Sequence, residues 1–190
     1  MRALVLTILI VLLALTSGSD SWADTARVPV PLQAQLSGRI GAFDRNFQAR
    51  AGPLARVLVL HKDGNADSVS AATAFAKAIG ELHQIGGLDA TVEEAAFTDG
   101  AKLAARCRAQ RIALVYFAGG LESEMARVAT ALVGVDVLTI GGSSAYAAQG
   151  SVVAFDLEEA RPKVVLNLRS AKAQNVSFKA ELLKLARIVE

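Results

Sequence analysis

The sequence predicts an α/β protein: a mixed, mostly parallel sheet with helices on both faces, closed by a C-terminal antiparallel hairpin and a terminal helix. Three observations predict it. Short, nearly continuous apolar runs, Ala55 to His61 (ARVLVLH) and Arg111 to Ala118, read as strands covered on both faces. Segments of helical periodicity separate such runs, so that strand and helix alternate four times along the chain. The closing strand pair, Val152 to Leu157 and Lys163 to Leu168, is joined by only the turn Glu158-Glu159-Ala160-Arg161-Pro162. A connection that short permits an antiparallel hairpin and no parallel crossover, which makes the sheet mixed.

Each element follows from its pattern. Leu32, Leu36, Ile40, Phe43 and Phe47 fall on one face of a first helix, which Pro31 suits at its start and Gly52-Pro53 ends. After the strand Ala55 to His61 comes the loop His61-Lys62-Asp63-Gly64-Asn65. Asp67 or Ser68 is the expected cap of a helix reaching about His83, with Ala72, Phe75, Ala76, Ile79 and Leu82 as its buried stripe. Gly86-Gly87 turns the chain into a weaker strand, Ala90 to Phe97. Thr98 or Asp99 then caps a helix through Arg108. The strand Arg111 to Ala118 leads through Gly119-Gly120 to a helix over Glu122 to Val133. The strand Val135 to Ile140 ends in Gly141-Gly142-Ser143-Ser144. The terminal helix, Phe178 to Ile188, is expected to bury Leu182, Leu185, Ala186 and Val189. No internal repeat or low-complexity segment is evident.

The start of the chain has the layout of a secretory signal peptide. Met1-Arg2 is followed by an aliphatic run from Ala3 to Leu15, then polar residues, then the small-x-small pattern Ser21-Trp22-Ala23. The run is too short for the ~20 residues that a spanning helix needs. Residues 1–23 are therefore expected to be removed, leaving 24–190 as one exported α/β domain. No later run approaches membrane-spanning length, so the processed chain is not expected to span a membrane. Cys107 is the only cysteine, which excludes an intrachain disulfide and leaves stability to the packed core. The formal net charge is +2, and no nucleic-acid partner is expected. From Arg161 to Glu190 there are seven basic and two acidic residues, a basic end that suits either a solvated helix face or the steering of an acidic partner.

If the sheet is parallel, three strand-to-helix loops collect at one edge. They carry His61, Asp63 and Asn65; Gly119 and Gly120; and Gly141, Gly142, Ser143 and Ser144. Open α/β sheets bind ligands outside the carboxyl ends of their strands, and glycines there let a ligand approach the main chain. These residues are the candidate ligand or partner loops, although no Gly-x-Gly-x-x-Gly or Gly-Lys-Ser/Thr phosphate fingerprint accompanies them. Catalytic candidates fail on pattern. Gly141-Gly142-Ser143-Ser144-Ala145 lacks the final glycine of a nucleophile elbow, and no histidine follows it. Glu93-Glu94 and Glu158-Glu159 are adjacent carboxylates, which point apart. His61 and His83 have no metal-type spacing, so no metal and no cofactor are expected. Cys107 lies between Arg106 and Arg108, a setting that can activate a thiol, but burial inside the helix is the plainer reading. No enzymatic activity is expected.

One block carries a family likeness. Gly150 precedes an apolar strand, the next strand ends in Asn167-Leu168, Ala171 and Ala173 follow, and the chain closes with Leu182-Leu183-Lys184-Leu185-Ala186. This block resembles the C-terminal motif of YfiR-type (HmsC-like) proteins. The likeness is clear from Val135 to Val189 and looser from Ala55 to Ala118. It implies an exported, non-enzymatic α/β regulator that contacts the periplasmic part of a membrane signalling protein, a diguanylate cyclase or a sensor kinase, and so limits cyclic-di-GMP. Gly150, Asn167, Leu168, Leu182 and Leu183 become structural or partner-facing motif positions by the same likeness. The chain departs from the best-known members in its lone Cys107, and in reading Phe43-Asp44-Arg45-Asn46-Phe47 where many carry an aromatic-Trp-Pro segment. The alternative from another class is a solute-binding protein that captures a small molecule at the three glycine-bearing loops.

Overall fold

The computed structural model describes residues 27–189. The expected signal peptide, residues 1–23, lies outside the described residues. The elements run α1 (Val30–Phe43), α2 (Phe47–Ala51), β1 (Ala55–His61), α3 (Ala66–Gly80), β2 (Gln84–Ile85), β3 (Leu88–Ala96), α4 (Gly100–Gln110) and β4 (Ile112–Phe117). A single 3-10 turn (Glu122–Glu124) leads into α5 (Met125–Ala131). Then come β5 (Leu138–Gly141), α6 (Ser144–Ala148), β6 (Val153–Glu158), β7 (Arg161–Asn167), α7 (Leu168–Ala173), α8 (Ala180–Leu185) and β8 (Arg187–Val189).

The eight strands form one sheet in the order β2-β3-β1-β4-β5-β6-β7-β8. From β3 to β6 all neighbours are parallel. β7 returns antiparallel to β6, and β8 pairs parallel to β7. The mixed, mostly parallel sheet and its hairpin are as the sequence predicts. Alternate residues of β1 serve different cores. Val57 and Val59 pack with Phe47, Phe75, Ile79, Phe178 and Leu182, while Leu58 and Leu60 pack with Leu103, Met125, Val128 and Tyr146. Helices therefore cover both faces, α1, α3 and α8 on one and α4, α5 and α6 on the other, which is why β1 and β4 read as unbroken apolar runs.

Most element positions agree with the sequence reading, and the differences have local causes. The first helix stops at Phe43, because Asp44 turns out to bridge Phe178 and to accept from the amides of Asn46 and Ser177. The cap of α3 is Asn65, two or three residues before the expected Asp67 or Ser68, its Oδ1 accepting from Ser68 N at 2.9 Å. Asp99 caps α4 as anticipated, accepting from Lys102 N at 2.8 Å. Three short elements escape the pattern altogether: β2, α6 and α7 are too brief for periodicity to register. The predicted terminal helix is cut in two. The chain leaves helical geometry at Ala186 and joins β7 as β8, so Leu185 is exposed rather than buried. Main-chain pairing with β7 outweighs the weak helical preference of a six-residue segment.

Candidate functional site

Parallel strands place all their carboxyl ends along one rim. Counting outward from β1, the order β3-β1-β4-β5-β6 sends the chain one way to β3 and the other way to β4 and β5. The helix after β1 packs on one face and the helix after β4 on the other, so the loops part between β1 and β4. Open α/β sheets bind ligands at such a reversal in strand order. The structure has a cavity of about 380 Å³ there, lined by Arg27, Gln33, Asn65, Gly119, Gly120, Glu122, Gly142, Ser143 and both Tyr116 and Tyr146, among others. That volume falls in the range of small-molecule sites. A wider groove of about 570 Å³ lies at the opposite ends of the strands. Its walls are residues of β1 and β3 and the end of α4, not strand-to-helix loops.

The floor of the cleft is a satisfied polar network. Tyr116 Oη donates to Gln33 Oε1 at 2.8 Å. Gln33 Nε2 donates to the carbonyls of Val28 (2.7 Å) and Gly142 (3.1 Å). Tyr146 Oη donates to Ala118 O at 2.6 Å and accepts from Leu121 N at 3.1 Å. Burial pushes both tyrosine hydroxyls above their ordinary pKa, and for Tyr146 the amide of Leu121 offsets part of this. Both therefore stay protonated as donors. The Tyr116 ring stacks on Phe75 with centroids 3.5 Å apart, which fixes its orientation. Two glycines make the rim possible. Gly120 has φ of +94°, and a Cβ on Gly142 would meet Tyr116 Oη at 2.9 Å.

The three sequence-predicted loops do converge, but only some of their residues line the cavity. Asn65, Gly119, Gly120, Gly142 and Ser143 line it; His61, Asp63, Gly141 and Ser144 do not. Asp63 caps its own turn by accepting from Gly64 N at 3.0 Å. His61 ends β1 with its carbonyl accepting from Phe97 N, and its Nδ1 is buried without a partner among the described residues. Gly141 is needed for packing, since a Cβ there would land on the Tyr146 side chain. Ser144 begins α6. Among the described residues no group of three or more His, Cys, Asp or Glu converges on a metal position. Burial pushes the Cys107 thiol up to about 12, against the pull of Arg106 and Arg108, so it stays protonated at neutral pH.

The motif positions sort differently. Gly150 has φ of +117° and lies against Ala129 with no room for a Cβ. Asn167 is buried, capping α7 through Ser170 N (2.8 Å) and donating to Ala147 O (2.9 Å). Leu182 is buried and Leu183 half-buried, while Leu168 is exposed. The cleft residues that sequence reading missed include Arg27, Val28, Gln33, Tyr116 and Tyr146. Two carried a faint signal: Gln33 sits beside the apolar face of an amphipathic helix, and Tyr116 is a polar-tipped residue in an apolar strand.

The arrangement defines a doubly wound α/β protein with a cavity at its switch point. The chain belongs to the YfiR/HmsC-like family, whose model matches residues 48–187. No curated protein matches the chain. Solved structures share its fold at low identity. A conserved domain protein from Vibrio cholerae O1 biovar El Tor has 14% identity and a TM-score of 0.60, over 85% of this chain and 60% of that one. The ABC domain from Streptococcus pneumonia, solved in complex with L-Trp, has 13% identity and a TM-score of 0.58, over 82% and 62%. A substrate binding protein with adhesive properties from Clostridium difficile, in its ligand-free, open form, has 12% identity and a TM-score of 0.52, over 76% and 57%. The chain thus spans about three-fifths of the length of the structures it resembles. Among the described residues no helix is long and apolar enough to cross a membrane.

Proposed function

We propose that the protein is an exported, non-enzymatic binding protein that regulates a membrane signalling protein by contact from the periplasm. In this reading residues 1–23 are removed on export and 24–190 act as one α/β unit. The partner is the periplasmic part of a diguanylate cyclase or sensor kinase, and the output is a change in cyclic-di-GMP. Membership of the YfiR/HmsC-like family is the observation that carries the reading. Cross-linking the tagged chain in cells should recover an inner- or outer-membrane signalling protein, and deletion should raise cyclic-di-GMP. An unchanged nucleotide level with no membrane partner recovered would overturn it.

The cleft favours a second role, capture of a small solute, which can serve as the input to the first. Its support is the meeting of Asn65, Gly119, Gly120, Gly142 and Ser143 around one cavity at the switch point. Thermal-shift screening tests it directly. A solute present at a hundred times its dissociation constant stabilises the fold by about 2.7 kcal/mol. A flat response across broad metabolite sets would remove this role and leave the first untouched.

A further inference from the structure

The two outer margins of the sheet are built differently, and the difference points to where a partner binds. At one margin β3 is fringed by exposed Asp89, Thr91 and Glu93, and β2 covers its first residues. No large apolar side chain is exposed on it. Polar, charged fringes of this kind keep sheet edges from pairing with other chains. At the other margin β8 pairs with β7 on one side and with no described strand on the other. Here the fringe is apolar. Leu185 is 69% exposed, Ile188 39% and Leu168 38%, three of the five large apolar side chains exposed among the described residues. They lie together: Leu185 is three residues before Ile188, and Leu168 follows Asn167, the register partner of Val189 in β8.

Charge sets the kind of occupant. Arg169 at the start of α7 and Lys184 on α8 are exposed and form no ion pair with a described residue, and Glu181 is the one acid on the two helices. Arg187 is already held by Asp156 and Glu158. The patch thus offers unpaired main-chain groups, apolar anchors and free cations side by side. Edge protection explains the shortness of β8, but not the exposed Leu185 and Ile188. We propose that β8 and the flanking ends of α7 and α8 dock an acidic, extended segment of a protein partner, which adds to the sheet as a further strand. Strand addition supplies main-chain hydrogen bonds for affinity, alternate apolar side chains for register and acidic ones for charge complementarity. The proposal rests on the contact-regulator reading above and names its surface.

The test uses the full processed chain and defined peptides. An octapeptide alternating valine with glutamate should bind, should slow hydrogen exchange of β8 amides, and should weaken as salt is raised. Its lysine-for-glutamate counterpart should not bind. Leu185→Asp combined with Lys184→Glu, both at exposed positions, should weaken the acidic peptide by roughly tenfold or more while leaving the melting temperature unchanged. Equal binding of both peptides, binding that the variant does not alter, or no binding at all would overturn the proposal. So would sedimentation of the protein with phosphatidylglycerol vesicles in the absence of peptide binding, since that would make the patch a lipid contact. If the peptide behaves as stated but deletion leaves cyclic-di-GMP unchanged, the surface stands and the regulator reading falls.

Discussion

The two ends of the parallel strands are closed by opposite means. At the amino ends Arg50 is buried and fully engaged. Its Nη1 meets Asp44 Oδ2 at 2.5 Å, its Nε meets Asp136 Oδ1 at 2.7 Å, and its Nη2 donates to Asn175 O at 3.0 Å. One guanidinium thereby ties α2 to the end of α1, the start of β5 and the segment after α7. At the carboxyl ends no such buried ion pair occurs among the described residues. Neutral hydrogen bonds from Tyr116, Gln33 and Tyr146 support glycine loops around a cavity. The fold concentrates its covalently distant ties at one end and leaves main-chain groups available at the other. This separation lets the binding rim vary without loosening the frame.

Removing the staple should have the largest effect. Arg50→Ala leaves Asp44 buried with only the amides of Asn46 and Ser177 for company. Breaking one partner of a buried pair costs about 3–5 kcal/mol. Chemical denaturation should show a loss of that size, with solute binding at the folded protein unchanged. The pair Arg50→Met with Asp44→Leu should regain only part of it, because it removes the buried unpaired charge but leaves the amides of Asn46 and Ser177 without their acceptor. If Arg50→Ala unfolds nothing but empties the cleft, the division of labour between the two ends is wrong.

The carboxyl rim should respond more mildly. Tyr116→Phe keeps the stack on Phe75 but leaves Gln33 Oε1 buried without its donor. An orphaned buried acceptor costs about 1–3 kcal/mol. The melting temperature should fall by less than in Arg50→Ala, and the cleft should lose its order, read as faster exchange of the Gly142 amide that now bonds Phe117 O at 3.2 Å.

A smaller effect separates both rims from the sheet margin. Burial raises the Asp156 pKa, but the Arg187 guanidinium at 2.5 Å and the Leu157 amide outweigh it and hold the group below the ordinary carboxylate value. A folded-state pKa below the unfolded one adds stability that is complete above the unfolded value of about 3.9 and disappears as pH falls through the folded value. The pair is partly exposed, so the gain is at most about 1 kcal/mol. Arg187→Ala should remove it at neutral pH and flatten the acid limb of the stability profile, and high salt should mimic the variant in the wild type.

The sequence made the frame legible and the cleft only half so. β1 and β4 announced themselves through unbroken apolar runs, and the hairpin through a turn too short for a crossover. The glycine loops were visible because turns demand glycine. The cleft floor was not, since Gln33, Tyr116 and Tyr146 lie in three separate elements and meet only once the sheet is ordered. Arg50 was equally hidden: nothing in Phe47–Ala51 distinguishes a buried arginine from an exposed one until Asp44, Asp136 and Asn175 close around it. The end of the chain misled for a related reason. Leu182, Leu185 and Ala186 have helical spacing, and only pairing with β7 reveals that Arg187–Val189 is a strand.

The finest probe of the contrast adds a single methyl. A Cβ on Gly119 would meet only Arg27 Nη1, at 3.7 Å, which is ordinary contact, and its backbone does not need the left-handed conformation that Gly120 adopts. Gly119→Ala should therefore change stability by no more than about 0.5 kcal/mol. The methyl nevertheless enters the cleft wall beside Arg27, where a solute would approach the main chain. Binding of any solute found by thermal shift should weaken while the melting temperature of the free protein holds. An alanine that leaves affinity untouched would place the solute elsewhere, and the amino-end groove lined by Arg56 and Arg111 would be the next position to probe.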